Sequence, residues 1–184
     1  MYRYYHLASF GALAFDWNQS HSLTQVQLMP STHEGVQVVQ DIKKTPHFIH
    51  NLVLDLQHYF ESGEPLKNIP WDQMDWGTIT PFQQQVLKAV TQIPHGQTRT
   101  YAWVAVKIAK PTALRAVGQA LRRNPFPILI PCHRIVGASG ALVGFMGEKE
   151  DTAKGITNSP ALNLKSLLIN TEHQYLNPVF SFLA

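Results

Sequence analysis

An α/β N-terminal domain followed by a mainly α C-terminal domain with a helix-turn-helix is the fold class this sequence predicts. Three observations predict it. Residues that favour strands crowd the first thirty positions, a single amphipathic helical stripe follows, and from Thr80 onward the chain reads as a succession of short helices with start and stop signals.

Tyr2 to Leu28 is rich in Tyr, Phe, Val and Leu and is interrupted by Gly11 and by the polar run Asp16 to Ser22, which suits short strands joined by turns. In HFIHNLVLDLQHYFESGEP, the residues Phe48, Ile49, Leu52, Val53, Leu56, Tyr59 and Phe60 form one helical stripe, and Gly63 with Pro65 supplies the stop. Pro70 to Thr80 reads as the connection, giving an α/β domain over 1–76 and a helical domain over 77–184. Thr80 is placed as an N-cap, Pro81 in the first turn and Gln83 as the closing member of a capping box, with Phe82, Val86, Leu87 and Val90 inward. A second helix is expected over Thr100 to Ile108. The turn Lys110-Pro111 ends it, and Thr112 is expected to cap a third helix bearing Leu114, Val117 and Leu121. Ser159-Pro160 opens a final helix with Ala161, Leu164, Leu167 and Leu168 inward.

The 184 residues are 45% hydrophobic, enough to bury a core, so disorder is not the expectation. The formal charge is only +3, but from Trp76 to Gly147 there is no Asp or Glu, while Lys88, Arg99, Lys107, Lys110, Arg115, Arg122, Arg123 and Arg134 all fall there. Such a segment creates a positive field suited to a polyanion, and nucleic acid is the commonest one; an ordinary solvated basic face has the same composition. The single cysteine excludes an internal disulfide and a cysteine-rich zinc site, and favours a reducing compartment. The start, MYRYYHLASFGALAF, resembles a signal peptide only faintly and is read as strand, and no apolar run approaches the roughly 20 residues that span a bilayer.

That one cysteine, Cys132, stands in NPFPILIPCHRIVG after an apolar, strand-like run and beside His133 and Arg134. A free thiol is only a few per cent ionised near neutral pH, and an imidazole or a positive field raises that fraction to give a soft nucleophile. By composition alone, a buried small hydrophobe is the commoner role for a lone Cys. An adjacent His adds little if both lie on a strand, where neighbours point to opposite faces.

PCHRI, preceded by RAVGQALRRNPFPILI and by TPFQQQVLKAVTQIPHGQTRTYAWVA, resembles the O6-alkylguanine-DNA alkyltransferase family, the methylated-DNA–protein-cysteine methyltransferases, without a gap from Thr80 to Gly147. The resemblance implies an RNase-H-like N-terminal domain and irreversible, single-turnover transfer of an alkyl group from O6-alkylguanine, and from O4-alkylthymine, in DNA to Cys132. It implies that His133 draws off the thiol proton through a bridging water, that Glu172 orients His133, and that Asn124 holds the turn before the cysteine. Arg115 would replace a flipped nucleotide in the stack, and Tyr101 would help rotate that nucleotide out, extrusion being needed because a thiol cannot reach an O6 substituent inside a duplex. Ala113, Leu114, Ala116, Gly118, Arg122 and Arg123 complete the implied DNA surface, the small residues permitting close approach in the minor groove. Leu121, Pro127, Ile135, Phe145 and Met146 would line the base pocket. The expected partner is double-stranded DNA carrying alkylated bases, bound by a monomer in the cytoplasm, or in the nucleus of a eukaryote, with no cofactor, no metal and no membrane.

The sequence departs from the family pattern at GFMGE, where Met146 replaces a small residue and Glu148 a glycine, and in the extra residues between roughly Glu148 and Ser159. The N-terminal cysteines that bind zinc in some members are absent, so His6, His21 and His33 are read as surface or packing residues. Two competing functions stand beside the enzyme: an alkyltransferase-like damage-binding protein without repair activity, and a Cys-His hydrolase. The first lacks the acceptor cysteine, and the second needs an oxyanion hole that nothing at this spacing suggests.

Overall fold

The computed structural model describes residues 1–8, 11–28, 37–38, 45–146 and 159–177. His33, Gly147, Glu148 and nearly all of the 148–159 insertion lie outside the described residues. The described chain divides into two compact units, one formed by Met1–Thr78 with Pro125–Leu129 and the other by Ile79–Asn124 with Ile130–Ala184.

In the first unit, β1 (Tyr2–Ala8), β2 (Gly11–Trp17) and β3 (Leu23–Leu28) form an antiparallel meander, and the short β4 (Gln37–Val38) adds parallel to β1, giving the order β3-β2-β1-β4. The register pairs Arg3 directly with Asp16. Both are buried, and the guanidinium meets the carboxylate in a fork, Nε to Oδ1 at 2.5 Å and Nη2 to Oδ2 at 2.6 Å. Two charges out of water persist only when they meet each other, and removing one partner from such a pair typically costs about 3–5 kcal/mol. Helix α1 (His47–Ser62) buries Ile49, Leu52, Val53, Leu56 and Tyr59. It ends at Gly63, whose φ of 74° is the left-handed conformation that closes a helix, with its N–H donating to the Tyr59 carbonyl. Phe48 and Phe60, at the edges of the predicted stripe, are half-buried. His6 meets the Gln57 side chain at 3.1 Å, a packing role.

The second unit is built from α2 (Pro81–Val90), α3 (Tyr101–Lys107), α4 (Leu114–Arg122) and α5 (Pro160–Leu176), with a two-stranded parallel ribbon of β5 (Arg99–Thr100) and β6 (Ile135–Val136). Thr80 caps α2, its hydroxyl accepting from the Gln83 N–H at 3.3 Å. The predicted capping box is not closed. The Gln83 side chain donates instead to the carbonyls of Arg123 (2.8 Å) and Ala120 (3.4 Å), because the end of α4 packs there and its last carbonyls need donors. Thr100 caps α3 through the Trp103 N–H, and Ser159 caps α5 through the Leu162 N–H.

Thr112 does not cap α4; Ala113 occupies the cap position and offers no side-chain bond. The reason is the turn before it. Ala109 takes a left-handed φ of 56°, Lys110 N–H returns to the Ala105 carbonyl and Ala113 N–H to Lys110, which places the first helical turn one residue later than the Thr predicts. Leu167 is 46% exposed on α5, contrary to expectation, and the buried face runs through Ala161, Leu162, Leu164, Lys165, Leu168 and Glu172.

Candidate active site

The cysteine does not lie on a strand. Cys132–Arg134 forms one turn of 3₁₀ helix, tightened by the Cys132 N–H reaching back to the Ile130 carbonyl at 2.7 Å, and β6 starts only at Ile135. In such a turn consecutive side chains are about 120° apart rather than on opposite faces, so Cys132 and His133 both enter the interior, 8% and 0% exposed. Pairing of β6 with β5 sets Arg99 opposite Ile135 and Thr100 opposite Val136, which brings the first residue of α3, Tyr101, to the same end of the unit.

The Asn124 amide spans the loop between α4 and the cysteine turn. Its Nδ2 donates to the Ile130 carbonyl (3.0 Å) and to Cys132 Sγ (3.2 Å). Burial pushes the Cys132 thiol up, while the Asn124 hydrogen bond and the Lys165 charge pull it back. Lys165 is itself 1% exposed. Its ammonium donates to the Ile135 carbonyl at 2.6 Å and the Gly144 carbonyl at 3.2 Å, and burial lowers it to about 8, opposed by the charge of Cys132.

Glu172 on α5 is the hub of the cluster. It is 1% exposed, and its Oε1 stands 2.9 Å from His133 Nε2. Arg134 grips both oxygens, Nε to Oε2 and Nη2 to Oε1 at 2.9 Å each, and the Gly96 N–H adds a further bond to Oε2 at 2.9 Å. Burial by itself would raise this carboxyl, but the bonds from His133 and Arg134 outweigh it and hold Glu172 well below the usual carboxylate range. Arg134 is held in turn by the Ile93 carbonyl (2.8 Å) and by His95 Nδ1 (3.2 Å). For His133, burial lowers the imidazole and the hydrogen bond with Glu172 opposes that. An ionised carboxylate at Nε2 requires the hydrogen to sit there, which leaves the lone pair on Nδ1. Nδ1 is buried and has no hydrogen-bond partner among the described residues.

The structure thus brings Cys132, Asn124, His133 and Glu172 together. Tyr101, half-buried, donates from its hydroxyl to the Val143 carbonyl at 2.8 Å; burial raises the phenol, as does the charge of Cys132. On α4, Val117, Ala120 and Leu121 are buried, while Arg115, Ala116, Arg122 and Arg123 are exposed, as is Leu114 at 45%, with Ala113 and Gly118 intermediate. Of the predicted pocket residues, Leu121, Ile135 and Phe145 are buried in the second unit and Met146 is 38% exposed with a left-handed φ of 49°. Pro127 is buried too, but in the segment that belongs to the first unit. Sequence reasoning missed Lys165 and the clamp formed by Arg134. Lys165 had a signal: it falls on the inward stripe 161, 165, 168, 172 of α5, where a charge is costly unless held.

A mixed α/β protein with a buried thiol, a neighbouring His-Glu pair and an exposed basic helix is the class these features define. Comparison with known proteins carries this further. Residues 81–172 match the family model described as 6-O-methylguanine DNA methyltransferase, DNA binding domain. The constitutive methylated-DNA–protein-cysteine methyltransferase of Bacillus subtilis is 38% identical over 123 residues, covering 67% of this chain and 72% of the relative. A methylated-DNA–protein-cysteine methyltransferase of Methanosarcina barkeri is 56% identical over 66 residues, 36% of this chain and 42% of that protein, so several alignments span less than half of the relative. The Mycobacterium tuberculosis OGT, solved in complex with DNA, superposes with a TM-score of 0.73 at 29% identity over 95% of this chain and 94% of its own. The chain belongs to the 6-O-methylguanine-DNA methyltransferase family.

Proposed function

We propose that this protein reverses DNA alkylation by moving the alkyl group of O6-alkylguanine, and of O4-alkylthymine, onto Cys132. The observation that carries the reading is the buried relay Cys132, His133, Glu172, with a lone pair left on His133 Nδ1. His133 Nδ1 takes the thiol proton through a water, Sγ attacks the saturated carbon, the carbon–oxygen bond breaks, and the base departs as an oxyanion that takes up a proton. Tyr101 supplies a hydrogen bond to that base once it releases Val143. The product is a thioether, which thiol exchange does not reverse, so each molecule acts once. Asn124 positions the thiol and Glu172 orients the base.

Its partner is duplex DNA bound by a monomer. The two domains are taken as 1–76, RNase-H-like, and 77–184, in which α3 and α4 act as a helix-turn-helix. The meander β1–β3 with a parallel strand added beside β1 supports the first assignment, and the exposed Arg115 and Arg122 on α4 the second. Arg115 fills the gap left by the flipped base, and Ala113, Leu114, Ala116, Gly118, Arg122 and Arg123 meet the DNA around it. Leu121, Ile135, Phe145 and Met146 shape the pocket. No helix among the described residues is long and apolar enough to cross a membrane; the reading places the protein in the cytoplasm, or in the nucleus of a eukaryote.

Intact-protein mass after incubation with duplex carrying O6-methylguanine tests the reading. The wild type should gain one methyl group, located on Cys132, and Cys132→Ala should gain none while still binding the duplex. Binding without mass gain in the wild type would make it a damage-recognition protein, and methylation of Cys132→Ala would remove the thiol from the mechanism.

A further inference from the structure

On α3, away from α4, two cations gather at one indole. The Arg99 guanidinium carbon and the Lys107 ammonium each stand 5.9 Å from the centre of the Trp103 ring. Both arise from local structure. Arg99 leaves β5 with its guanidinium fixed by the Thr98 carbonyl (2.8 Å) and the Gln97 side chain (2.7 Å), and Lys107 follows Trp103 by one helical turn. The ring attracts each cation weakly at an exposed site, but the cations repel one another. Among the described residues of the second unit no carboxylate lies against them: Glu172 is the single acidic side chain there, and it is buried within its own cluster.

This group is separate from the surface proposed for α4. A Cβ at Gly118 of α4 would stand 3.9 Å from Tyr101 Cε1, so the Tyr101 side of α3 faces α4. At about 100° per residue, Trp103 and Lys107 project from the opposite side. We infer that Arg99, Trp103 and Lys107 form a second nucleic-acid contact whose ligand is a phosphodiester backbone lying outside the stretch held by α4. A phosphate between the two cations relieves their repulsion, and the indole supplies a flat apolar wall for the sugar beside it. The inference rests on the DNA-binding reading above and extends it to a different face.

The test uses the full chain with Arg99 and Lys107 both changed to Gln, and an unmodified duplex of about 25 base pairs, more than two helical turns. Each phosphate neutralised contributes about 0.9 to the slope of log K against log salt, so the double variant should lose between about 1 and 2 from that slope. Its alkylation by free O6-benzylguanine should stay at the wild-type rate. Trp103 is the only tryptophan outside the first unit, so DNA-dependent quenching that vanishes in Trp103→Phe reports this site directly. Quenching complete at one equivalent of duplex places the flanking backbone of the same DNA here, and quenching that needs a second equivalent places another segment here; either supports the inference. An unchanged salt slope overturns it, and so does quenching by a glutamate-rich peptide alone, which would assign the face to an acidic protein. If the wild type binds no duplex at all, the DNA-binding reading itself falls, a result distinct from a wild type that binds with a slope the variant shares.

Discussion

At Glu172 four N–H donors converge on one carboxylate: His133 Nε2, Arg134 Nε and Nη2, and the Gly96 backbone. The convergence settles the proton inventory of the site. With the carboxylate kept anionic, His133 keeps its hydrogen on Nε2 and stays a neutral base at Nδ1, although burial works against any charge it gains. In the proposed mechanism, Glu172→Gln removes the anion that stabilises the imidazolium as it forms. Alkylation at neutral pH should fall about 10- to 100-fold, and the pH at which the rate rises as His133 loses its proton should move downward, because the carboxylate that raises that imidazole is gone, while duplex affinity changes little. Stopped-flow alkylation over a pH series measures this; a wild-type profile in the variant would show that Glu172 serves packing alone.

Two glycines separate elements that need space inside the fold from elements that need it outside. Gly96, at φ 69°, lies against α5: a Cβ would stand 2.2 Å from Leu176 Cδ1 and 3.3 Å from the Glu172 carbonyl. Gly96→Ala should therefore cost about 1–3 kcal/mol, from the left-handed backbone and the displaced helix, and should slow alkylation because Glu172 rides on α5. Gly118, inside α4, has among the described residues only Tyr101 Cε1 near its Cβ position, at 3.9 Å, an ordinary contact. The fold does not require glycine there. Gly118→Ala should leave stability unchanged or raise it by about 0.5–1 kcal/mol, as Ala does in a helix interior, and yet weaken duplex binding if DNA packs on this face. Denaturant midpoints should fall in Gly96→Ala and hold or rise in Gly118→Ala, and DNA titrations should weaken in Gly118→Ala; full DNA affinity in Gly118→Ala would remove α4 from the interface.

For the whole molecule, the same carboxylate links stability to acid. Glu172 has a folded pKa below its unfolded value, so its contribution is complete above the unfolded value of about 4.3 and is lost as pH falls from there toward the folded pKa. The wild type should be more stable than Glu172→Gln at pH 7, and the gap should narrow steadily below about pH 4. Urea unfolding at pH 7, 5 and 3 gives the comparison. A gap independent of pH would mean that the network contributes through packing rather than charge.

Local signals determined a good deal of this protein by themselves. The strand-rich start, the stripe and Gly63 stop of α1, the Thr80 cap, and the helices opening at Thr100 and Ser159 depend on interactions within a few residues, and these stand in the structure as read. Family likeness in the run from Thr80 to Gly147 was legible in the same way, because its motifs are contiguous. What lay beyond the sequence depends on contacts between distant segments. Gln83 reads as a capping-box residue but turns to Ala120 and Arg123, whose carbonyls arrive only when α4 packs. Cys132 reads as a strand residue because its neighbours are apolar, yet those neighbours are buried by the fold around them and the backbone closes a 3₁₀ turn instead. Arg134 reads as part of a basic segment, and Lys165 attracts no reading at all. Only tertiary structure decides that Arg134 is spent on Glu172 and Lys165 on the carbonyls of Ile135 and Gly144, since a buried charge is tolerated only where partners from elsewhere in the chain are already in place.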